Sequence, residues 1–190
     1  EAKRELYEVG KQLFDKIGYV EVGMDHFALK TDSMYKAMEE KTLHRNFMGY
    51  TSGKTALMVG LGMSAISDSW YSFAQNVKTV EEYQEIVNQA EFPLLRGHLL
   101  SEEDLIIRKH ILNIMCHFET SWENADQQTP AFLEGLKLLD EMKEDGLVIV
   151  EGNKLTVPEK GRLFVRNICM CFDVKMIQNK PETQLFSQTI

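Results

Sequence analysis

The spacing of apolar residues divides the sequence into a first part that alternates helix and strand and a second part that is mostly helical. Over residues 6–17 the apolar side chains recur every three or four positions, which predicts an amphipathic helix that stops at Gly18. Residues 19–24 alternate apolar and polar side chains and predict a strand, whereas the apolar run 57–59 is typical of a buried strand. Between these strands, Asp32 is placed to cap a short helix.

This order of elements predicts an α/β fold for residues 1–78, as the last strands and helices of a partial (β/α) barrel with a parallel sheet. Two strands cannot close a barrel, so we expect the remaining strands to precede Glu1 in a longer protein. The first residues favour this expectation, because Glu1 is not a methionine and the helical pattern is already under way there.

Residues 79–190 predict a second, mainly helical domain. A capping box over 79–82 starts one helix, and Ser101, followed by acidic residues, starts another. Pro130 fits the first position of a third helix, which is expected to continue to residue 145. The pattern after residue 79 therefore predicts three helices in succession.

A short hairpin and a closing helix complete this second domain. Strands are predicted over 147–150 and 155–157, with turn residues between them, and a last helix is expected over 160–172. Three helices, a hairpin and a closing helix resemble a winged-helix arrangement, which raises DNA binding as an alternative. The third helix is strongly acidic, however, and an acidic face repels phosphates.

Composition narrows the class of protein further. Hydrophobic residues make up 44% and charged residues 26% of the sequence, which is ordinary for a globular protein. The net charge of −8 argues against nucleic acid as a partner, and no apolar run approaches the roughly 18 residues of a membrane span. Three cysteines without a secretory signal favour a reducing, cytoplasmic location.

Four local motifs suggest chemistry but have ordinary structural explanations as well. Residues 49–55 resemble a phosphate-binding loop, but Met48 stands where that motif needs glycine. The turn 60–65 matches a loose dinucleotide fingerprint, which is more often a tight strand-to-helix connection. Residues 25–26 follow a strand whose end would lie at the active edge of a parallel sheet. The cysteines at 169 and 171 lack the spacing of metal ligands, which favours the interpretation that they are buried thiols.

Five segments in the same order resemble the oxygen-independent coproporphyrinogen III oxidases, specifically the C-terminal part of that family. They span nearly the whole chain and comprise Gly23-Met-Asp-His-Phe-Ala28, His44-Arg-Asn-Phe-Met-Gly-Tyr-Thr51, Gly62-Met-Ser-Ala-Ile-Ser67, Ala74-Gln-Asn76 and Gly161-Arg-Leu-Phe-Val-Arg-Asn-Ile-Cys-Met-Cys-Phe-Asp173.

The resemblance implies that the chain is part of a radical enzyme of anaerobic haem synthesis. Such an enzyme uses a [4Fe–4S] cluster to cleave S-adenosylmethionine, and the resulting radical initiates decarboxylation of two propionates of coproporphyrinogen III. The family's partial barrel is followed by a helical domain that covers the active site. The cluster motif C-x-x-x-C-x-x-C does not occur in this sequence, so the resemblance implies that the chain by itself holds no cluster ligands and is inactive.

The resemblance also implies binding residues. Phe47, Met48, Gly62, Ala65 and Ile66 correspond to a second S-adenosylmethionine site, with Ile66 expected to pack on the adenine. Met48 departs from the family pattern, in which this position is usually Gln. A thioether forms no amide-type hydrogen bond, so the polar contact that Gln would make is not expected here. The thioether is able to pack softly on a ligand instead.

The substrate of this family carries four carboxylates, so cationic side chains are expected around it. His44, Arg45, Arg162 and Arg166 are the candidates that this sequence offers. Two alternatives are kept open. One is a related haem chaperone that binds haem without oxidising a porphyrinogen, and the other is a non-catalytic winged-helix module that binds another protein.

Overall fold

The computed structural model describes residues 2–173; Glu1 and residues 174–190, the end of the predicted second domain, lie outside the described residues. The helices are α1 (Ala2–Lys16), α2 (Ser33–Glu39), α3 (Val80–Asn88), α4 (Glu102–His117), α5 (Pro130–Lys137), α6 (Asp140–Glu144) and α7 (Val165–Met170), with 3₁₀ turns at Ala125–Gln127 and Glu159–Phe164. The strands are β1 (Tyr19–Gly23), β2 (His26–Leu29), β3 (His44–Asn46), β4 (Gly49–Thr51), β5 (Leu57–Met58), β6 (Ile66–Ser69), β7 (Ser72–Asn76), β8 (Leu94–Leu99), β9 (Glu119–Ser121), β10 (Ile149–Glu151) and β11 (Lys154–Thr156).

The strands of the described chain form four small sheets, in the orders β1-β2, β3-β4, β5-β6-β7-β8 and β10-β11-β9. The predicted mixture of helix and strand is confirmed, and no closed barrel is present within residues 2–173. Every strand pair here is antiparallel, so the parallel pairing expected for residues 19–24 is not found. Instead β1 folds back onto β2 through Asp25, whose φ of 58° lies in a region that Asp tolerates. Residues 25–26 therefore close a hairpin.

Three other predicted elements differ in the structure. Residues 57–59 form no buried strand, because Leu57 and Val59 are 63% and 64% exposed and β5 is a two-residue edge strand. The predicted helix 131–145 is interrupted between α5 and α6, where Leu139 turns fully into the core. The last predicted helix begins as a 3₁₀ turn. Within it, Gly161 lies so close to the Leu147 carbonyl that a Cβ would meet its oxygen at 2.0 Å.

Most helix ends follow their local sequence signals. The Asp32 carboxylate accepts a hydrogen bond of 2.7 Å from the Met34 N–H, and Ser101 forms a reciprocal capping box with Asp104. Pro130 occupies the first turn of α5, and Gly18 follows α1 with a φ of 87°.

The main core lies in the second half of the chain, around α4, α5, α7 and the β9–β11 sheet. Phe132, Leu139, Leu155 and Ile168 are completely buried there. By contrast, α1 is amphipathic as predicted but buries none of its residues against the described chain.

Tyr50 on β4 links the two halves of the molecule. Its hydroxyl donates to the Met115 carbonyl of α4 at 2.9 Å and accepts from the Met24 N–H after β1 at 3.2 Å. Its ring lies so close to Gly23 that a Cβ there would meet the ring at 2.5 Å. One buried side chain thus fixes the end of β1 against the last turn of α4.

We expect Tyr50→Phe to lower the free energy of unfolding by about 1–3 kcal/mol, because it leaves the Met24 N–H without its acceptor in a buried site. Urea denaturation of the chain measures the change. Tyr71→Phe is the matched control, since Tyr71 is 66% exposed and its loss of a hydroxyl should have little effect. Equal urea midpoints of unfolding for the two variants would show that the Tyr50 hydroxyl contributes nothing to stability.

Candidate functional site

A cavity of about 840 Å³ lies where the β3–β4 turn, the β5–β8 sheet and helices α4 and α7 meet. Its volume is in the range of roughly 300–1,000 Å³ that is typical of small-molecule sites. The apolar part of its wall includes Met24, Phe47, Phe73, Ile107, Met115 and Phe172. Segments from both halves of the chain therefore contribute to one concave surface.

Charged residues also line this cavity. The guanidinium groups belong to Arg45, Arg108 and Arg166, and the carboxylates to Asp68, Glu103, Asp104 and Asp173. Of the four basic residues predicted to bind substrate, the structure places Arg45 and Arg166 on the cavity wall. Arg108 and Asp68 were not predicted from the sequence.

Arg108 and Asp68 form an ion pair that joins α4 to the sheet. Arg108 Nη2 lies 2.7 Å from Asp68 Oδ1, and the two side chains are only 13% and 9% exposed. Arg108 Nη1 also donates to the carbonyls of Ser69 and Trp70, at 2.7 and 3.1 Å. The guanidinium lies 5.0 Å from the Trp70 ring centre and 4.7 Å from that of Phe73. Hydrogen bonds and aromatic contacts together fix this arginine in place.

Arg45 is held differently. Its guanidinium lies 4.7 Å from the centre of the Tyr50 ring, and its Nη1 is buried with no hydrogen-bond partner among residues 2–173. A buried N–H of a charged group without an acceptor is costly, so such groups in native proteins usually meet water, an ion or a ligand. Arg45 is therefore the cavity group that most clearly lacks an acceptor.

Two thiols lie near Arg45 but are not reactive groups. Burial raises the pKa of Cys116 to about 12, and the Arg45 guanidinium offsets this rise only in part. Burial also raises the pKa of Cys169, which lies near Cys116. Both thiols are therefore protonated at neutral pH, as expected of core residues and not of nucleophiles or metal ligands.

The structure brings Phe47 and Ile66 to one surface. Phe47 packs edge-on against Phe73, with ring centres 5.2 Å apart. Phe73 lies opposite Asp68 in the β6–β7 ladder, and Ile66 is two residues before Asp68. Because side chains alternate along a strand and opposite residues share a face, Ile66 lies on the same face of the sheet as Phe73.

Met48 follows Phe47 at the tip of the β3–β4 turn and is 82% exposed. Its N–H donates to Asn46 Oδ1 at 2.8 Å, which fixes the turn. The thioether is therefore presented to solvent beside the Phe47–Phe73 pair, and it is not part of the cavity wall.

The glycine turn before β6 is held by hydrogen bonds from within the chain. The Gly62 N–H donates to the Tyr83 hydroxyl at 3.1 Å, and the Asn76 side chain donates to the carbonyls of Gly60 and Gly62 at 3.1 and 2.8 Å. The Ala65 carbonyl accepts from the Asn76 N–H at 3.0 Å. The turn is rigid, but a ligand would compete with these bonds for the Gly62 N–H and the Ala65 carbonyl.

The two remaining predicted basic residues lie away from the cavity wall. Burial lowers the pKa of His44, and the nearby Lys54 and Arg108 charges add to the effect, so this imidazole is neutral at pH 7. Arg162 pairs with Glu159 at 3.0 Å and lies over the Phe118 ring. Neither residue is part of the cavity wall.

Within residues 2–173, no group of three or more His, Cys, Asp or Glu side chains is arranged to hold a metal ion. The three cysteines are not among such a group of ligands within these residues. Over the same residues, no helix is both long enough and apolar enough to span a membrane.

Comparison with known proteins identifies clear relatives, although no family model matches the chain. The oxygen-independent coproporphyrinogen III oxidases of Escherichia coli K12, Synechocystis and Pseudomonas aeruginosa are 40%, 36% and 34% identical to it. In the first two cases the match covers 91% of this chain but 39% of the relative. The chain thus spans about two fifths of the length of these curated relatives.

A solved structure shows the same similarity. The coproporphyrinogen III oxidase of Escherichia coli, described as a radical SAM enzyme, superimposes with a TM-score of 0.84 and 38% identity. The match covers 91% of this chain and 41% of that protein. The resemblance predicted from the five sequence segments is confirmed by these matches.

Proposed function

We propose that this chain, similar over nine-tenths of its length to oxygen-independent coproporphyrinogen III oxidases, forms part of such an enzyme. The complete protein would convert coproporphyrinogen III to protoporphyrinogen IX without oxygen, in the cytoplasm, with radicals generated from S-adenosylmethionine. In this proposal, the cavity between the two halves of the chain contributes to the substrate site. The haem-chaperone and interaction-module alternatives find no comparable support among the relatives.

The buried, unpartnered guanidinium N–H of Arg45 carries this proposal. Coproporphyrinogen III is a flexible tetrapyrrole with four carboxylates, so its site needs cations and apolar surface together. Arg45 and Arg166 supply cations on the wall, and Phe47, Phe73 and Phe172 supply aromatic surface. Guanidinium groups bind carboxylates through two parallel hydrogen bonds, which suits this role.

The residues present also fit one edge of a bound S-adenosylmethionine. Phe47 and Ile66 share the surface beside Phe73, where an adenine ring would pack, and Met48 would meet the ligand through its thioether. The roles of Gly62 and Ala65 are proposed as close backbone approach to that ligand. When bound, this cofactor would supply the radical that begins the decarboxylation.

The [4Fe–4S] cluster does not fit the residues described in this chain. We propose that its ligands come from another segment of the complete protein. That segment would also supply the barrel strands that residues 1–78 do not contain, and it would adjoin the exposed apolar face of α1.

We further propose that residues 79–190 form a winged-helix-like cover over the site. Support comes from the order of α4, α5 and α6 followed by the β10–β11 hairpin, with β9 completing the small sheet. Because β8 pairs with β7, the sheet of the first domain continues beyond residue 78, so the two domains would share it.

Binding of coproporphyrin III, the stable aromatic form of the substrate, tests the proposal on this chain. We expect saturable binding and a loss of affinity of about 10–100-fold in Arg45→Ala, since hydrogen bonds to charged groups contribute about 1.5–3 kcal/mol. Arg45→Lys should retain part of the affinity. The change is measured by porphyrin fluorescence titration.

Arg4→Ala is the matched control, because Arg4 is an exposed residue of α1 that is not part of the cavity wall. It removes the same charge from the chain and should leave the dissociation constant unchanged. The absence of saturable binding, or equal affinities of Arg4→Ala and Arg45→Ala, would refute the proposed substrate site.

A further inference from the structure

The three arginines of the cavity are not equivalent as binding groups. Arg108 donates to two carbonyls and to the Asp68 carboxylate at 2.7 Å, so its charge is neutralised in place. For Arg45 and Arg166, no carboxylate lies within 4.0 Å among the residues that the structure describes. The wall thus offers two unneutralised guanidinium groups beside a neutral Arg–Asp pair.

The carboxylates at the start of α4 are engaged within the protein. Glu103 accepts from the Ala131 N–H at 3.2 Å and so connects α4 to α5. Asp104 accepts from the N–H and the hydroxyl of Ser101, and it lies 3.7 Å from His98. Among Asp68, Glu103 and Asp104, it is Asp68 whose described hydrogen bond comes from an arginine of the cavity wall.

We propose that Asp68 determines specificity by withdrawing Arg108 from carboxylate binding. This inference rests on the proposed function. It leaves Arg45 and Arg166 as two anchors, which bind the two propionates that the product retains. The propionates that are lost would lie against the neutral Arg108–Asp68 pair and the adjoining Phe73 ring.

The chemistry of decarboxylation gives the physical reason. After a hydrogen atom is removed from the propionate carbon next to the pyrrole ring, the carboxylate leaves as neutral CO₂, a vinyl group forms and one electron passes to a one-electron acceptor. The carboxylate charge is lost in this step, so a fixed cation beside it stabilises the starting state more than the transition state. Interactions that are stronger in the ground state slow the reaction. The retained propionates keep their charge, so cationic anchors stabilise the starting state and the transition state equally.

Two stable porphyrins test this assignment on the chain and on Asp68→Asn. Coproporphyrin III has four carboxylates and mesoporphyrin IX has two. Asp68→Asn frees the Arg108 charge while keeping an oxygen that accepts its hydrogen bond. We expect it to bind coproporphyrin III about tenfold more tightly and mesoporphyrin IX with unchanged affinity, as one added charged contact would give.

Asp68→Asn/Arg108→Gln is the matched control, because it removes the freed charge and should restore the original affinity for coproporphyrin III. An unchanged ratio of the two dissociation constants in Asp68→Asn would overturn the inference. If porphyrins bind through Arg45 but that ratio does not move, only the role of Asp68 fails. If Arg45→Ala has no effect, the proposed function itself fails.

The salt dependence of porphyrin binding provides a second measurement. It uses the unmodified chain, so it does not depend on whether a substituted protein folds. At about 1 M salt the Debye length is roughly 3 Å, so charges that are not in direct contact contribute little to the affinity. Two anchors predict that the two porphyrins then have similar dissociation constants. If coproporphyrin III still bound about tenfold more tightly than mesoporphyrin IX at this salt concentration, further carboxylates would be meeting cations, which would contradict the inference.

Discussion

Phe132→Ala will lower the free energy of unfolding by about 3–5 kcal/mol, the range for deleting a fully buried aromatic side chain. Phe132 is 0% exposed and lies at the centre of an aromatic cluster. Its ring stacks on His110 at 4.1 Å and on Phe172 at 5.3 Å, and it meets Trp122 edge-on at 5.0 Å. Three aromatic rings, on α4 and on the segments that follow β9 and α7, lose a common contact when this ring is removed.

Urea denaturation followed by tryptophan fluorescence measures this effect, since Trp122 lies against the mutated ring. Phe92→Ala is the matched control, because Phe92 is 88% exposed and should change stability by less than about 0.5 kcal/mol. A loss below about 1.5 kcal/mol for Phe132→Ala would mean that the core collapses into the cavity or is not packed as described.

Local elements were predicted from the sequence because their causes are local. The Asp32 cap, the Ser101 capping start and the Pro130 first turn each depend on a side chain within three residues of the helix start. The partner of a strand, in contrast, is not determined by local sequence. Alternation over residues 19–24 predicts a strand but carries no information about its neighbour, and β1 pairs with the adjacent β2 in antiparallel fashion.

The interruption of the predicted third helix has a tertiary cause. Helical periodicity continues through Leu136 and Leu139, yet the chain turns between them and places Leu139 completely in the core. The packing of α5 on α7 is equally close, since a Cβ on Gly135 would meet the Phe172 ring at 2.5 Å. Neither contact can be predicted from spacing along one segment.

The candidate site was predicted only in part. Phe47 and Ile66 were identified through the family resemblance, but the sheet face that joins them depends on the β6–β7 register. Arg108 left one signal in the sequence. It lies three residues after Leu105 and four before Leu112, so it shares a helix face with these two apolar residues, where a charge requires a partner. That partner, Asp68, is 40 residues away and could not be identified without the fold.

We expect Arg108→Met to lower the free energy of unfolding by about 3–5 kcal/mol, because it leaves the Asp68 carboxylate buried without its counter-charge. The substitution also removes donors to the Ser69 and Trp70 carbonyls, which hold the β6–β7 turn against α4. Thermal and urea unfolding of the chain measure the loss. Near-ultraviolet circular dichroism reports whether Trp70 changes its surroundings.

Asp68→Leu/Arg108→Met separates the effect of the unpaired charge from the effect of lost packing. Replacing both partners by apolar groups removes the desolvated charge, so the double variant should be more stable than Arg108→Met alone by at least about 1 kcal/mol. The two carbonyl contacts are missing from both variants and cancel in this comparison. If the double variant were the less stable of the two, the ion pair would not be the reason that Arg108 is needed. The loss would then come from its hydrogen bonds to the two carbonyls and its stacking on Trp70 and Phe73.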